Sequence, residues 1–131
     1  MKKKLNFQTK AIIAGRSMDA VSGKTFETLN PANGKILAKI ARCEKADADI
    51  AVEAARNAFE NGPWPKMSPA ERKVILQRFA TLIEAHTDEL AELEAIEAGK
   101  PISDCMEIAL PETVGTIRWH AEAADKIYDQ L

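Results

Sequence analysis

Two cysteines, two histidines and an arginine beside a tryptophan are the places where this 131-residue chain could do chemistry. Cys105 stands where a helix is expected to begin, and the field of a helix N-terminus can lower a thiol pKa toward the nucleophilic thiolate. Cys43 lies just before another expected helix. The two are 62 positions apart, with no further thiol or histidine at a metal-ligand spacing, so both read as ordinary buried or half-buried thiols, without a disulfide framework. His86 and His120 are 34 apart, and neither sits in a His-x-x-x-His or Cys-x-x-Cys setting, which argues against zinc. His120 has the intrinsic pKa of a proton shuttle, yet packing is the stronger reading. Arg118 beside Trp119 reads as an ion-pairing or stacking group. Glu89, Glu92, Glu94 and Glu97 spread carboxylates over neighbouring helical faces, where solvation is the default. The six glycines are never closer than eight positions, so neither a dinucleotide fingerprint nor a phosphate-binding loop can be written.

The elements that must position these residues fall into two regions. Residues 11 to 42 carry strand and turn chemistry. Ala11-Ile12-Ile13-Ala14 forms one expected strand, Thr25-Phe26-Glu27-Thr28-Leu29 a second and Ile36-Leu37-Ala38-Lys39-Ile40 a third, with Asn30-Pro31-Ala32-Asn33-Gly34 turning the chain. Together they support one small antiparallel sheet that needs a covering layer. The helices begin near Ala46. Ala48, Ala51, Ala55, Ala58 and Phe59 share one face before Asn61-Gly62-Pro63 stops the run, which predicts close packing through alanine. Ser68-Pro69-Ala70-Glu71 is a capping box with proline at the first helical position. Ile75, Leu76, Phe79, Leu82 and Ile83 then form an apolar stripe. Thr87-Asp88-Glu89 restarts a helix that Gly99 closes by taking a left-handed conformation, and Pro101 bars its continuation. A last helix is expected from about Ser103 or Asp104, kinked or split at Pro111, with Val114, Ile117, Ala121, Ala124 and Tyr128 as its core face and no stop signal before Leu131. The fold class is therefore α+β, mostly α: short N-terminal β-strands followed by four or five helices.

Apolar residues make up 46% of the chain and charged residues 29%, with only 5% aromatics, a globular and helix-rich composition. A net charge of -2 gives no field that would draw nucleic acid or an anionic membrane. Met1-Lys2-Lys3-Lys4 has the charge of a signal sequence, but no apolar run follows it, so a cytoplasmic location is expected.

In order and spacing these segments resemble the N-terminal region of the NAD(P)-dependent aldehyde dehydrogenases. The likeness runs from Ile12-Ile13-Ala14-Gly15-Arg16 through Thr28-Leu29-Asn30-Pro31, Ala54-Ala55-Arg56-Asn57-Ala58-Phe59, Trp64 and Ala70-Glu71-Arg72. It continues through Glu97-Ala98-Gly99-Lys100-Pro101 to Ile117-Arg118-Trp119 and Asp125-Lys126. The nearest subgroup is similar to bacterial enzymes that oxidise γ-glutamyl-γ-aminobutyraldehyde and other ω-aminoaldehydes, on Ile117-Arg118-Trp119 and the following Ala121-Glu122-Ala123.

The resemblance implies one N-terminal segment, a strand arm at 11–42 and a helical layer at 46–131, of an α/β enzyme whose cofactor-binding and catalytic domains are absent. The family's nucleophilic cysteine and general-base glutamate lie in those parts, so neither Cys105 nor any other residue here is assigned a catalytic or cofactor-binding role. NAD or NADP belongs to the full-length enzyme, and this chain alone is expected to bind neither. Ile108 and Glu112 match positions facing the substrate tunnel. Ala109 stands where the family commonly has an aspartate, two before the proline, although Glu107 and Glu112 could still present negative charge to a cationic aldehyde. Thr28, Leu29 and Glu97 match a segment that holds a monovalent cation in some members, Glu97 being longer than the usual aspartate. His120 replaces a second aromatic ring. The implied partners are the remainder of the polypeptide or a homo-oligomer and a small aldehyde. The rival reading is a stand-alone helical protein-interaction module derived from that family.

Overall fold

The computed structural model describes residues 5–126, which divide into two compact units between Pro65 and Lys66. In the first unit, β1 (Ala11–Ile13) and β2 (Arg16–Met18) pair antiparallel with Ala11 opposite Met18. Between them Ala14 (φ 50°) and Gly15 (φ 73°) are both left-handed, the arrangement of a two-residue hairpin turn whose twist matches its strands. The turn creates β2, since Arg16-Ser17-Met18 has no apolar alternation to announce a strand. β3 (Thr25–Leu29) and β4 (Ile36–Ala41) form a second hairpin, with Phe26 opposite Ile40 and a bulge at Thr28/Leu29. Its loop is held by Asn side chains: Asn30 Oδ1 accepts from Ala32 N–H and Asn33 Oδ1 from Lys35 N–H, both at 2.9 Å. The expected single three-stranded sheet is thus replaced by two separate hairpins.

α1 (Lys45–Asn61) completes this unit. Close packing through alanine does not occur there. Ala48, Ala55 and Ala58 are exposed, Phe59 is 72% exposed, and Asp47 is the helix's one buried residue. The two hairpins of this unit do not cover the alanine face.

In the second unit α2 (Pro69–Ala85) starts as its capping box dictates: Ser68 Oγ accepts from Glu71 N–H at 3.3 Å, and Glu71 Oε2 accepts from Ser68 N–H at 2.7 Å. His86 alone separates it from α3 (Thr87–Ala98), and Gly99 closes α3 at φ 73° with its N–H on the Ala95 carbonyl. The chain re-enters a helix at Ile102, slightly before the expected start. A single turn, α4 (Ile102–Asp104), runs into a π turn (Cys105–Ala109) and then α5 (Leu110–Ala123). The regular α-helix is thus split just ahead of Pro111, as expected, and Pro111 stands in the first turn of α5, the wider turn before it taking up the missing hydrogen bond.

α5 packs along α2 through small side chains. Ala80, Ala91, Cys105 and Ala121 are fully buried, and Leu110 and Val114 nearly so. Ala91, Cys105 and Leu110 form the central cluster, flanked by Ile83, Leu90 and Ala95. The expected α2 stripe is only partly buried. Leu76 and Ile83 turn inward, whereas Ile75, Phe79 and Leu82 are 42%, 51% and 50% exposed, because the face toward α5 is the one carrying Ala80. On α5, Val114 and Ala121 are buried and Ile117 and Ala124 half-buried, as the spacing predicts, while Tyr128 and Leu131 lie outside the described residues.

Candidate functional site

The residues with the greatest chemical interest lie on the second unit, along the π turn and the outward face of α5. Ile108 projects from the π turn at 53% exposure. One turn later Glu112 lines a shallow groove of about 410 Å³ with Gly115, Thr116 and Trp119. Gly115 leaves this groove open, since nothing lies within 4 Å of where a Cβ would stand. Trp119 is 67% exposed and meets His120 edge-on, ring centroids 4.9 Å apart, so His120 serves as an exposed packing partner. Glu107 is exposed.

A second cleft of about 350 Å³ is lined by Leu110, Pro111, Val114 and Gly115 on one side and by Glu84, Thr87 and Arg118 at its polar edge. Arg118 donates to both carboxylate oxygens of Glu84, Nη1 to Oε1 at 2.8 Å, which gives it the ion-pairing role expected for it. A third groove, about 540 Å³ and mostly apolar, lies between α2 and α3 and is lined by Phe79, Leu82, Ile83, His86, Glu89, Leu90 and Leu93. His86 Nδ1 meets the Leu82 carbonyl at 2.8 Å.

Polar clusters absent from the sequence reading fix the frame. Glu122 accepts from Lys73 Nζ at 2.6 Å and from Gln77 Nε2 at 2.7 Å, and Asp125 stands 3.5 Å from the same lysine. The Glu122 contact raises the Lys73 pKa, and Lys73 in turn lowers that of Glu122. In the first unit, Asp47 accepts from Glu44 N–H and from Val21 N–H, each at 2.8 Å, and the Glu44 bond above all holds its pKa below the ordinary carboxylate range. The Glu44-x-x-Asp47 spacing was the available signal for that bond.

The remaining sequence candidates are placed as follows. Cys105 is wholly buried inside the π turn, not at a free helix N-terminus, and Cys43 is exposed, against the buried or half-buried thiol expected of it. Glu94 pairs with Lys100 Nζ at 2.5 Å, and Glu97 is exposed near the end of α3. Thr28 and Leu29 belong to β3 in the first unit and Glu97 to the second. No group of three or more metal-ligating side chains occurs among the described residues.

Asp47 on α1 and Glu71 on α2 accept from backbone N–H groups at the starts of their helices, and Asp88 with Glu89 stand in the first turn of α3. Among the described residues no helix is long and apolar enough to cross a membrane.

Comparison with known proteins matches residues 18–131 to the aldehyde dehydrogenase family. Aminoacetaldehyde dehydrogenase of Pseudomonas aeruginosa is 50% identical over 125 residues, 95% of this chain and 25% of that protein. Among solved structures, the Pseudomonas syringae indole-3-acetaldehyde dehydrogenase in complex with NAD+ aligns at a TM-score of 0.93 and 44% identity, over 97% of this chain and 26% of its own. The γ-glutamyl-γ-aminobutyraldehyde dehydrogenase of Burkholderia cenocepacia aligns at 0.90 and 44%, over 94% of this chain and 25% of its own. This chain thus spans about a quarter of the length of the relatives it matches. With that match running over residues 18–131, most of its length, the chain belongs to the aldehyde dehydrogenase family.

Proposed function

We propose that this chain is the N-terminal part of an oxidoreductase that oxidises aldehydes to carboxylic acids with NAD or NADP, an ω-aminoaldehyde among its substrates. The observation that carries the reading is continuous half-identity across 95% of the chain to a relative four times as long that is named for an aminoaldehyde. In this reading NAD or NADP, held elsewhere in the polypeptide, would supply the hydride chemistry, and these residues hold no cofactor atom. Their part is to bind and orient. Ile108 supplies an apolar wall beside the substrate's path, and Glu112 places negative charge where a cationic amino end would pass. The apolar surfaces of α2 and α3 dock against the remainder of the same polypeptide or a second copy, in the cytoplasm.

The test is an NAD(P)-dependent aldehyde oxidation assay on the 131-residue chain beside the complete gene product. Activity confined to the complete product supports the reading. Activity of the short chain would refute the division of labour, and silence of both would favour an interaction module that uses the apolar α2–α3 groove.

A further inference from the structure

Two Asn-Gly dipeptides occur in the chain, Asn33-Gly34 and Asn61-Gly62. In this dipeptide a backbone nitrogen can attack the preceding side chain, because glycine carries no Cβ beside the attacking atom and lets the peptide rotate toward the carboxamide. As sequence the two pairs are equivalent, but the fold treats them differently.

Asn33-Gly34 lies in the loop of the β3–β4 hairpin, with both residues exposed. Asn33 Oδ1 accepts from Lys35 N–H at 2.9 Å, two residues on, so the carboxamide is folded forward across the Gly34 peptide. That N–H already sits on the oxygen that gains negative charge when the carboxamide carbon is attacked, the placement of an oxyanion donor. Gly34 is left-handed at φ 66°, and nothing lies within 4 Å of where its Cβ would stand, so a tetrahedral centre has room to form. Its N–H donates to the Asn30 carbonyl at 2.8 Å, a bond in an exposed turn that local opening releases to water.

Asn61 is the last residue of α1. Its Nδ2 donates to Asn57 Oδ1 at 2.8 Å, one turn back, which draws the carboxamide away from the nitrogen that follows it. Gly62 is half-buried, its N–H closes the helix on the Ala58 carbonyl at 3.0 Å, and that oxygen stands where a Cβ on Gly62 would clash. The space needed for attack is taken.

We propose that Asn33 is a site of spontaneous deamidation in the folded protein, with water as the co-reactant, and that Asn61 is spared. Gly34 N bonds to Asn33 Cγ as its proton passes to solvent base. The Cγ–Nδ2 bond then breaks, the nitrogen leaves as ammonia with a proton from water, and a succinimide ring closes. Water opens either ring carbonyl, giving aspartate or β-linked isoaspartate, and nothing is oxidised or reduced. Either product places a new negative charge in the loop beside Lys35. The β-linked form also inserts a methylene into the backbone at the turn that joins β3 to β4. The modification is independent of the aldehyde-oxidising role.

The experiment uses the complete gene product, incubated at mildly alkaline pH and physiological temperature, beside the same protein unfolded in guanidinium chloride. Peptide mapping by mass spectrometry follows the amide-to-acid mass increase at each asparagine. In the folded protein Asn33 is expected to convert at least about tenfold faster than Asn61, and on unfolding the two rates should come within about threefold of each other. Equal rates in the folded protein, faster conversion at Asn61, or no conversion at Asn33 overturns the proposal. So does a tenfold preference that persists in guanidinium, since local sequence and not the turn would then set it.

Discussion

Arg118 on α5 grips Glu84 near the end of α2 with both terminal guanidinium nitrogens, across 34 residues of sequence. The two side chains remain 48% and 45% exposed, so the pair is screened by water and salt and its stabilisation is under about 1 kcal/mol. Its value is geometric, since a planar fork on a carboxylate fixes the rotation of one helix against the other.

Arg118→Lys should therefore cost less than about 1 kcal/mol in urea unfolding of the complete protein, and a double-mutant cycle with Glu84→Gln should give a coupling that shrinks with added salt. A salt-independent coupling well above that size would mean the pair is desolvated.

Acid should destabilise the fold. Asp47, Glu71, Glu122 and Asp125 all have folded pKa values below the ordinary carboxylate range, held there chiefly by Glu44 N–H, Ser68 N–H, Lys73 and Lys126 respectively. A depressed folded value contributes stability that is complete above the unfolded pKa of about 4 and disappears as the pH falls through the folded value. Lys73 and Lys100 are raised by Glu122 and Glu94, and their contribution is complete below about pH 10 and lost above it. The thermal midpoint should stay level through neutral pH and drop below about pH 4, and Asp47→Asn should shallow that acid limb. An acid limb unaltered in this variant would show that Asp47 does not contribute to it.

Gly99→Ala should destabilise by about 1–2 kcal/mol, because φ of 73° places a Cβ against the following carbonyl. Gly99→Asn should cost less, since asparagine tolerates the left-handed region. Equal losses, measured by chemical denaturation, would place the cause outside the backbone conformation.

Produced alone, the 131-residue chain should bind a hydrophobic dye and associate as its concentration rises. Phe59, Trp119, Val74 and Phe79 are 72%, 67%, 64% and 51% exposed, more apolar surface than a monomer usually leaves to water. A monodisperse, cooperatively unfolding monomer by light scattering would contradict this.

The helix boundaries were legible because capping chemistry is local. Ser68-Pro69-Ala70-Glu71 and Gly99 announce a start and a stop that no tertiary contact has to supply. The buried faces were harder to read. Apolar spacing selected Ile75, Phe79 and Leu82, but within this unit the covered face of α2 carries Ala80, and alanine gives a weak periodic signal. β2 was hidden because a turn rather than an apolar pattern creates it, and the π turn because a five-residue spacing resembles no regular helix. Nothing in composition or spacing singles out Ile108 or Glu112; their assignment rests on family resemblance.

The second unit is sealed at Ala80, Ala91, Cys105 and Ala121, each with no exposed surface. Such a seam has little slack. Its helices lie so near each other that one added methylene has nowhere to go, whereas the large side chains outside the seam can change with less consequence for this unit. Under random mutagenesis the intolerant sites should therefore be these modest ones, and a survey that weights residues by bulk would look for fragility in the wrong places.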